Sequence, residues 1–245
     1  YEYYLKAKDL FITATTEKDI DKAIKLCYKA IDLDKDFMAL YQWLAWIYYN
    51  KHDYVNAFKY NTYYNELAIK FESFIDVAWS YLYLGDVIYF KDNNVEETKR
   101  LYNLALKIFN IHDHTFGIST IYYNLAYLAW KEDFNLDKAN DYYNKTIKLD
   151  KKIRLKEGDI FAQKAKLNFV MGDFDEAKNN IDISIGYHKS NNNNNGYKNA
   201  LMTSGKILFY NQQYENSIKD LTESLEIFQQ YYNNPDTIPL GLMAY

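Results

Sequence analysis

The chain has 245 residues and a formal net charge of −4, with 49% hydrophobic and 25% charged residues. Because the charge is spread without blocks, we expect neither nucleic-acid binding nor attraction to an anionic membrane surface. No stretch approaches the ~18 apolar residues that a membrane span requires. The single cysteine, Cys27, excludes an internal disulfide framework and fits a reducing compartment, so we expect a cytoplasmic protein. The first residue is Tyr1 rather than Met, and we interpret the chain as a portion of a longer protein.

A short pattern of a small residue, a larger residue and usually another small residue recurs along the chain. Its first members recur at a step of about 34 residues once and about 38–41 residues thereafter, and a period in this range is typical of stacked-repeat proteins. Such proteins usually work by offering a long concave surface to a partner. The pattern comprises Ala23, Cys27 and Ala30; Ala57, Asn61 and Tyr64; Thr98, Tyr102 and Ala105; Ala139, Tyr143 and Thr146; Ala177, Ile181 and Ser184; and Ser217, Leu221 and Ser224.

Each repeat is predicted to contain two helices joined by a turn. In chain order, the turns are expected at residues 51–53, 91–94, 132–135, 171–177 and 211–214. Gly172 can end a helix in a left-handed conformation, and Asp173 can cap the helix that follows. We interpret the run Asn191 to Asn195 as a flexible polar connection without a packing role. Pro235 is expected to stop the last helix.

These residues resemble the tetratricopeptide repeat, a helix–turn–helix unit of about 34 residues. The resemblance implies an all-α, right-handed α-solenoid of about six such repeats over residues 1–233. Residues 234–245 would then be a C-terminal tail or the start of a capping helix. The matching residues are Ala7, Leu10, Phe11 and Ala14 with Ala23 and Ala30; Tyr41, Leu44, Ala45 and Tyr48 with Tyr54 and Ala57; Tyr81, Leu84, Gly85 and Ile88; Tyr122, Leu125, Ala126 and Ala129 with Ala139; Gly172, Asp173 and Phe174 with Ala177; and Leu201, Gly205 and Leu208 with Tyr214.

Most repeats here are longer than the standard tetratricopeptide unit, which resembles the arrays of Rap/PlcR-type peptide receptors and kinesin light chains. Both groups carry an Asn-Leu-Ala or Asn-Leu-Gly run in a first helix, and Asn124 begins such a run here. Asn124 is either part of that signature or a neutral residue on the helix surface. Chaperone-binding relatives clamp a terminal carboxylate with Lys and Asn. Here Lys8 is present but Ile12 replaces the Asn, so we expect no chaperone-tail clamp.

In such a stack the first helix of each repeat lines the inner face, and helical geometry then predicts which residues point into the groove. Aromatic residues dominate this predicted stripe, and aromatic residues are enriched at interface hot spots. The alternative is that these aromatic residues pack between adjacent repeats. The predicted partner-binding groove comprises Gln42, Trp46, Tyr49, Trp79, Asp86, Tyr89, Tyr123, Asn124, Tyr127, Trp130, Lys166, Phe169, Met202, Lys206 and Phe209.

The residues that could carry catalysis or bind a metal have simpler interpretations. Cys27 is expected to be a small buried hydrophobic residue. His112 and His114 offer too few ligands for a metal site, which needs three or four. His52 and His188 lie at predicted helix ends, where a partly charged imidazole is tolerated. No phosphate-binding loop, nucleophile elbow or zinc spacing is present. We therefore predict no enzymatic activity, no cofactor and no metal.

Two functions remain open at this level. The chain is either a scaffold that binds a protein or peptide in its groove, or the ligand-sensing domain of a larger signalling or transcription-regulatory protein of the peptide-pheromone receptor type. In the second case, ligand binding would alter the pitch of the array and move an effector domain outside this chain. A third possibility is that the chain forms a homo-oligomer through an exposed apolar end of the array.

Overall fold

The computed structural model describes residues 1–14, 16–153 and 157–233. Within these ranges the chain forms twelve helices and no strand, which confirms the predicted all-α repeat architecture. The predicted tail, residues 234–245, lies outside the described residues. The helices are α1 (Glu2–Ile12), α2 (Glu17–Leu33), α3 (Met38–Asn50), α4 (Tyr54–Lys70), α5 (Phe74–Asp92), α6 (Val95–Ile111), α7 (Thr115–Lys131), α8 (Leu136–Ile153), α9 (Glu157–Met171), α10 (Phe174–Ser190), α11 (Asn194–Tyr210) and α12 (Tyr214–Asn233).

The helices divide into two compact units. The N-terminal unit holds α1 to α6, in residues 1–114, and the C-terminal unit holds α7 to α12, in residues 115–233 of the described chain. In each unit the odd-numbered helix of a repeat packs on the even-numbered helix that follows it. The even-numbered helix then packs on the first helix of the next repeat, as α4 does on α5 and α10 on α11.

The recurring small-large-small pattern lies where the two helices of a repeat approach each other. Every member except Leu221 has 7% or less of its surface exposed. At the α5–α6 crossing, the Thr98 hydroxyl donates to the Gly85 carbonyl. A Cβ at Gly85 would lie 2.7 Å from the Tyr102 ring, so only glycine fits there. The predicted packing role of the pattern is therefore confirmed, because small side chains let the two backbones come close.

Many of the turns between helices share one backbone geometry. The residue before the N-cap has a positive φ, and in most of these turns the N-cap amide donates back to a carbonyl in the last turn of the preceding helix. This is the Schellman arrangement, which satisfies carbonyls that the helix end leaves free. Gly172 has this role as predicted, with φ of 81°. Elsewhere in the described chain the positive-φ position is taken by His52, Glu72, Asn93, Asp113, Phe134, Asn192 and Gln212.

The interpretation of the asparagine run as a flexible connection without a packing role was wrong. Asn192 has the left-handed conformation, with φ of 54°. The Asn193 side chain caps α11 by accepting a hydrogen bond of 2.9 Å from the Gly196 amide. The Asn193 amide also donates to the His188 carbonyl at the end of α10. Asparagine suits both places, because it tolerates positive φ and caps helices well.

Candidate functional site

All fifteen residues of the predicted groove lie on the first helices of their repeats. We call these fifteen residues the first-helix stripe. Its members are on α3 and α5 in the N-terminal unit and on α7, α9 and α11 in the C-terminal unit. Trp130 is buried, with 8% of its surface exposed, whereas Tyr127, Met202, Lys206 and Phe209 are exposed and the remaining members are half-buried. Partner binding by the stripe stays a prediction.

In the N-terminal unit, an aromatic cluster joins one repeat to the next. The Tyr49 ring makes edge contacts with Tyr54, at 5.9 Å between centroids, and with Phe90, at 5.8 Å. Tyr54 and Phe90 stack at 5.8 Å, and Tyr89 contacts Phe90 at 5.1 Å. The cluster thus links α3, α4 and the end of α5. Tyr49 contributes to packing between repeats as well as to the stripe.

The C-terminal unit contains an equivalent cluster. Phe169 contacts Phe174 at 5.6 Å and Tyr210 at 5.0 Å, and Phe174 stacks on Tyr210 at 6.4 Å. Phe209 packs against Tyr210 in the same way that Tyr89 packs against Phe90. The same aromatic arrangement occurs in both units. It indicates that the stripe residues Tyr49 and Phe169 hold consecutive repeats together.

The tryptophans of the stripe pack on buried rings. Trp46 stacks on Trp43 at 4.7 Å and meets Phe11 edge-on at 4.8 Å. Trp79 meets the buried Phe109 ring at 5.0 Å. Trp130 belongs to the core between α7, α8 and α9. These tryptophans therefore stabilise the array, since aromatic pairs add to the effect of buried area alone.

Polar members of the stripe in the N-terminal unit are bound to buried tyrosines. The Gln42 amide donates to the Tyr64 hydroxyl at 3.3 Å, and that hydroxyl donates to Asp76 at 2.6 Å. Burial and the Asp76 carboxylate raise the pKa of Tyr64. Asp86 accepts a hydrogen bond from the Tyr102 hydroxyl. Second-helix tyrosines thus set the positions of Gln42 and Asp86.

The C-terminal unit carries a lysine group on its first helices. Lys206 on α11 occupies the position equivalent to that of Lys166 on α9 in the preceding repeat. Burial lowers the pKa of Lys166, the charges of Lys131 and Lys206 lower it further, and the Asp159 carboxylate opposes them. Among the described residues, none of the three lysines forms an ion pair. The Lys131 ammonium instead lies 3.7 Å from the centroid of the Trp130 ring.

Tyr123 and Lys166 both interact with the Asp159 carboxylate. Burial raises the pKa of Tyr123, the Asp159 carboxylate raises it further, and a hydrogen bond with Gln163 acts in the opposite direction. Its ring meets the buried Tyr143 ring edge-on at 5.9 Å. Asp159 is therefore the carboxylate that faces both Tyr123 and Lys166.

The residues considered for catalysis or metal binding pack against other side chains. Cys27 is fully buried, as predicted, and burial raises the pKa of its thiol to about 12, so a thiolate is disfavoured near neutral pH. His112 stacks on Phe74 at 5.6 Å, and His114 stacks on Phe109 at 5.0 Å. No group of three or more His, Cys, Asp or Glu that could hold a metal occurs in the described residues. No helix in that part of the chain is long and apolar enough to cross a membrane.

His188 lies at a helix end, as predicted, but its environment does not favour the partly charged imidazole that was expected there. Its side chain lies at the end of α10 but is only 1% exposed. Its Nδ1 lies 3.1 Å from the side-chain Nδ2 of Asn193, and its Nε2 lies 3.5 Å from the Asp159 carboxylate. The ring fills the space left by the missing side chains of Gly158 and Gly196. Burial lowers the pKa of His188, which Asp159 partly opposes, so the neutral imidazole is favoured.

Structural comparison finds helical-repeat proteins, and no family model or curated protein matches the sequence. BtubC (BKLC) from P. vanneervenii superposes with a TM-score of 0.69 at 13% identity, over 87% of this chain and 89% of that protein. The MamA protein superposes with a TM-score of 0.52 at 16% identity, over 80% of this chain and 94% of that protein.

A third similar structure is a much larger protein. It is a signal transduction ATPase with numerous domains (STAND) from Pyrococcus horikoshii, which has a tetratricopeptide repeat sensor. The superposition has a TM-score of 0.67 at 19% identity and covers 92% of this chain but 35% of that protein. At these identities the similarity concerns the fold. Together with the twelve helices in consecutive pairs, it shows that this chain has the fold of a tetratricopeptide-like helical-repeat array.

Proposed function

We propose that the chain is a non-enzymatic scaffold that binds a protein or peptide along its first-helix stripe. The fold supports this, because tetratricopeptide-like arrays are protein-interaction scaffolds. The structural roles of Cys27 and His188 support the absence of catalysis, since both side chains are buried in the core.

The observation that carries the proposal is the lysine group of the C-terminal unit. Lys131 and Lys206 lie near Lys166, none of the three forms an ion pair among the described residues, and Asp159 is the carboxylate that acts on Lys166. Burial and the charges of Lys131 and Lys206 lower the proton affinity of Lys166, and an anion that binds beside Lys166 would favour its charged form. A bound carboxylate would therefore offset a repulsion that already exists in the free protein.

The surroundings of the lysines indicate the kind of segment that fits. Exposed apolar side chains lie on the same helices: Tyr127 on α7, and Met202 and Phe209 on α11. A peptide that alternates acidic and aromatic or aliphatic residues would match both features. Charge complementarity of this kind increases the association rate and selects partners more than it adds affinity.

The test uses two fluorescein-labelled peptides, one alternating Glu with Phe and one alternating Gln with Phe, with binding measured by fluorescence anisotropy. We expect the Glu peptide to bind at least tenfold more tightly, which is about 1.4 kcal/mol. The double variant Lys166→Glu and Lys206→Glu should remove this preference. Lys219→Glu, which reverses an exposed charge on the second helix α12, is the matched control and should retain it.

Two results would contradict the proposal. Equal affinity for the Glu and Gln peptides would show that the lysines do not select a carboxylate. Unchanged binding after Tyr127→Ala and Phe209→Ala would show that the stripe is not the binding surface, because an interface hot spot is worth about 2 kcal/mol or more.

A second candidate function is ligand sensing within a larger signalling protein. The similarity to the STAND ATPase favours it, because that protein carries its tetratricopeptide repeats as a sensor and this chain matches about a third of its length. The test is to express this chain with the sequence that flanks it in its gene and to measure ATP hydrolysis or DNA binding with and without the Glu peptide. A flanking domain whose activity ignores a bound peptide would contradict sensing.

A further inference from the structure

The turns inside the repeats of the C-terminal unit carry exposed apolar side chains. Each turn lies between the last residue of a first helix and the first turn of the second helix, in residues 131–138, 171–178 and 210–217. Every one of the three turns has at least one large apolar side chain that is exposed. We call the large apolar residues of these turns the turn edge: Phe134, Leu136, Met171, Phe174, Tyr210 and Tyr214.

The turn edge is continuous from one repeat to the next. The turn between α7 and α8 forms an open cleft of about 530 Å³ with the end of α9. The Phe174 ring stacks on Tyr210 at 6.4 Å, which connects the second turn to the third. Contiguous apolar surface of this kind marks interaction sites. The cleft is lined by Asp133, Phe134, Asn135, Leu136, Asp137 and Met171.

Phe134 indicates that this edge has a function beyond folding. It precedes Asn135, which caps α8, and its φ of 52° is an outlier for a bulky side chain. The other described residues with positive φ are polar or glycine. The Phe134 ring is 83% exposed, so core packing does not explain why phenylalanine occupies this position. Backbone strain of this kind clusters at functional sites.

Negative charge surrounds the turn edge. Residues 131–138, 171–178 and 210–217 contain seven carboxylates and three lysines. Lys178 pairs with Asp182 at 2.5 Å, and the Lys131 ammonium lies over the Trp130 ring. The carboxylates favour the N-terminal ends of the second helices, and their excess over the lysines also attracts cations. They are Glu132, Asp133, Asp137, Asp173, Asp175, Glu176 and Glu215.

We propose that the turn edge binds a segment of a partner protein in which aromatic or aliphatic residues alternate with lysine or arginine. An apolar side chain of that segment occupies the cleft against Phe134 and Met171. Its cations lie near Asp133 and Asp137 and over the exposed rings, because aromatic faces attract cations. The turn edge shares no residue with the first-helix stripe, so this inference does not depend on the ligand of the stripe.

The first test compares two fluorescein-labelled peptides by fluorescence anisotropy, one alternating Lys with Phe and one alternating Gln with Phe. We expect the Lys peptide to bind roughly tenfold more tightly, because charge complementarity selects it. Asp137→Asn removes a carboxylate of the cleft and should reduce this preference. Glu226→Gln makes the same change at an exposed position of α12 outside the turn edge, and it should retain the preference.

A second variant tests the apolar contact without disturbing the turn. Phe134→Asn should weaken binding of the Lys peptide roughly tenfold or more, as expected for an interface hot spot. Its melting temperature should stay the same or rise, because asparagine tolerates a positive φ. Ile183→Asn, at an exposed apolar position of α10 outside the turn edge, is the matched control and should keep the affinity. Binding of the Glu peptide should be unaffected by Phe134→Asn.

Four results would overturn the proposal. Equal affinity for the Lys and Gln peptides would show that the carboxylates do not select the partner. Unchanged affinity of the Phe134→Asn variant would show that the peptide binds elsewhere. A lower melting temperature of that variant would show that Phe134 serves the fold. Self-association that Phe134→Asn abolishes in sedimentation velocity would show that a second copy of the chain covers the edge.

Discussion

Gly196→Ala is expected to destabilise the C-terminal unit, although alanine normally favours a helix. Gly196 lies in the first turn of α11, directly over the His188 ring. An added Cβ would overlap Nδ1 of that ring and lie 2.5 Å from its Cε1, far inside van der Waals contact. The ring cannot easily yield, because Gly158 adjoins it on α9 and Asn193 lies 3.1 Å from its Nδ1.

A matched substitution separates the clash from helix propensity. Gly186 is exposed in α10, and a Cβ added there would meet nothing within 4 Å. Gly186→Ala should therefore stabilise the protein by about 0.5–1 kcal/mol. Forcing a methyl group into a packed core costs about 1–3 kcal/mol. Because both variants gain alanine's helix propensity, the difference between their unfolding free energies should be about 1–3 kcal/mol.

Urea unfolding followed by far-UV circular dichroism measures this difference, and thermal melting should show it as about 2–4 °C per kcal/mol. The double variant His188→Ala and Gly196→Ala tests the cause. If the ring creates the clash, the double variant loses less stability than the sum of the single variants, by about 1 kcal/mol or more. A Gly196→Ala protein as stable as the Gly186→Ala protein would refute the argument.

Three further predictions concern buried polar groups. Tyr64→Phe should cost about 1–3 kcal/mol in urea unfolding, because it leaves Asp76 without its 2.6 Å partner. Tyr143→Phe should be neutral or stabilising, since the buried Tyr143 hydroxyl has no hydrogen-bond partner in the described chain, and an equal loss in both variants would contradict this. The lowered pKa of His188, with Asp159 as the facing carboxylate, means that the unfolded chain takes up the proton first as the pH falls. Stability contributed by this histidine should be complete above about pH 6.5 and decline below it, and thermal melts of His188→Gln should show a smaller loss.

Much of the fold follows from local patterns in the sequence. The period, the helix pairs and most turn positions were predicted because small residues at fixed spacing mark where helices cross closely. The Schellman geometry was predicted only at Gly172, whose residue type indicates a positive φ. At Glu72, Phe134 and Gln212 a positive φ occurs in residues that seldom adopt it. There, the packing of consecutive helices imposes the turn.

The candidate site was predicted less completely. Helical spacing located the stripe on the first helices, but it could not distinguish side chains that pack between repeats from side chains that remain exposed. Tyr49 and Phe169 contact the next repeat, whereas Phe209 at the equivalent position is 57% exposed. The difference arises because Phe209 belongs to the last described first helix, where no later repeat supplies a partner ring.

Composition and periodicity were sufficient to establish an all-helical array of paired helices, because helix formation and close crossing depend on residues near one another in the chain. The chemical state of individual side chains depended on residues far apart. Burial lowers the pKa of His188 and so favours its neutral form, and Gly158, on the first helix of the same repeat, leaves the room in which the ring is buried. Burial lowers the pKa of Lys166, and the charges of Lys131 and Lys206, which come from neighbouring repeats, lower it further. Desolvation and charge interactions act through space, so only the tertiary structure decided them.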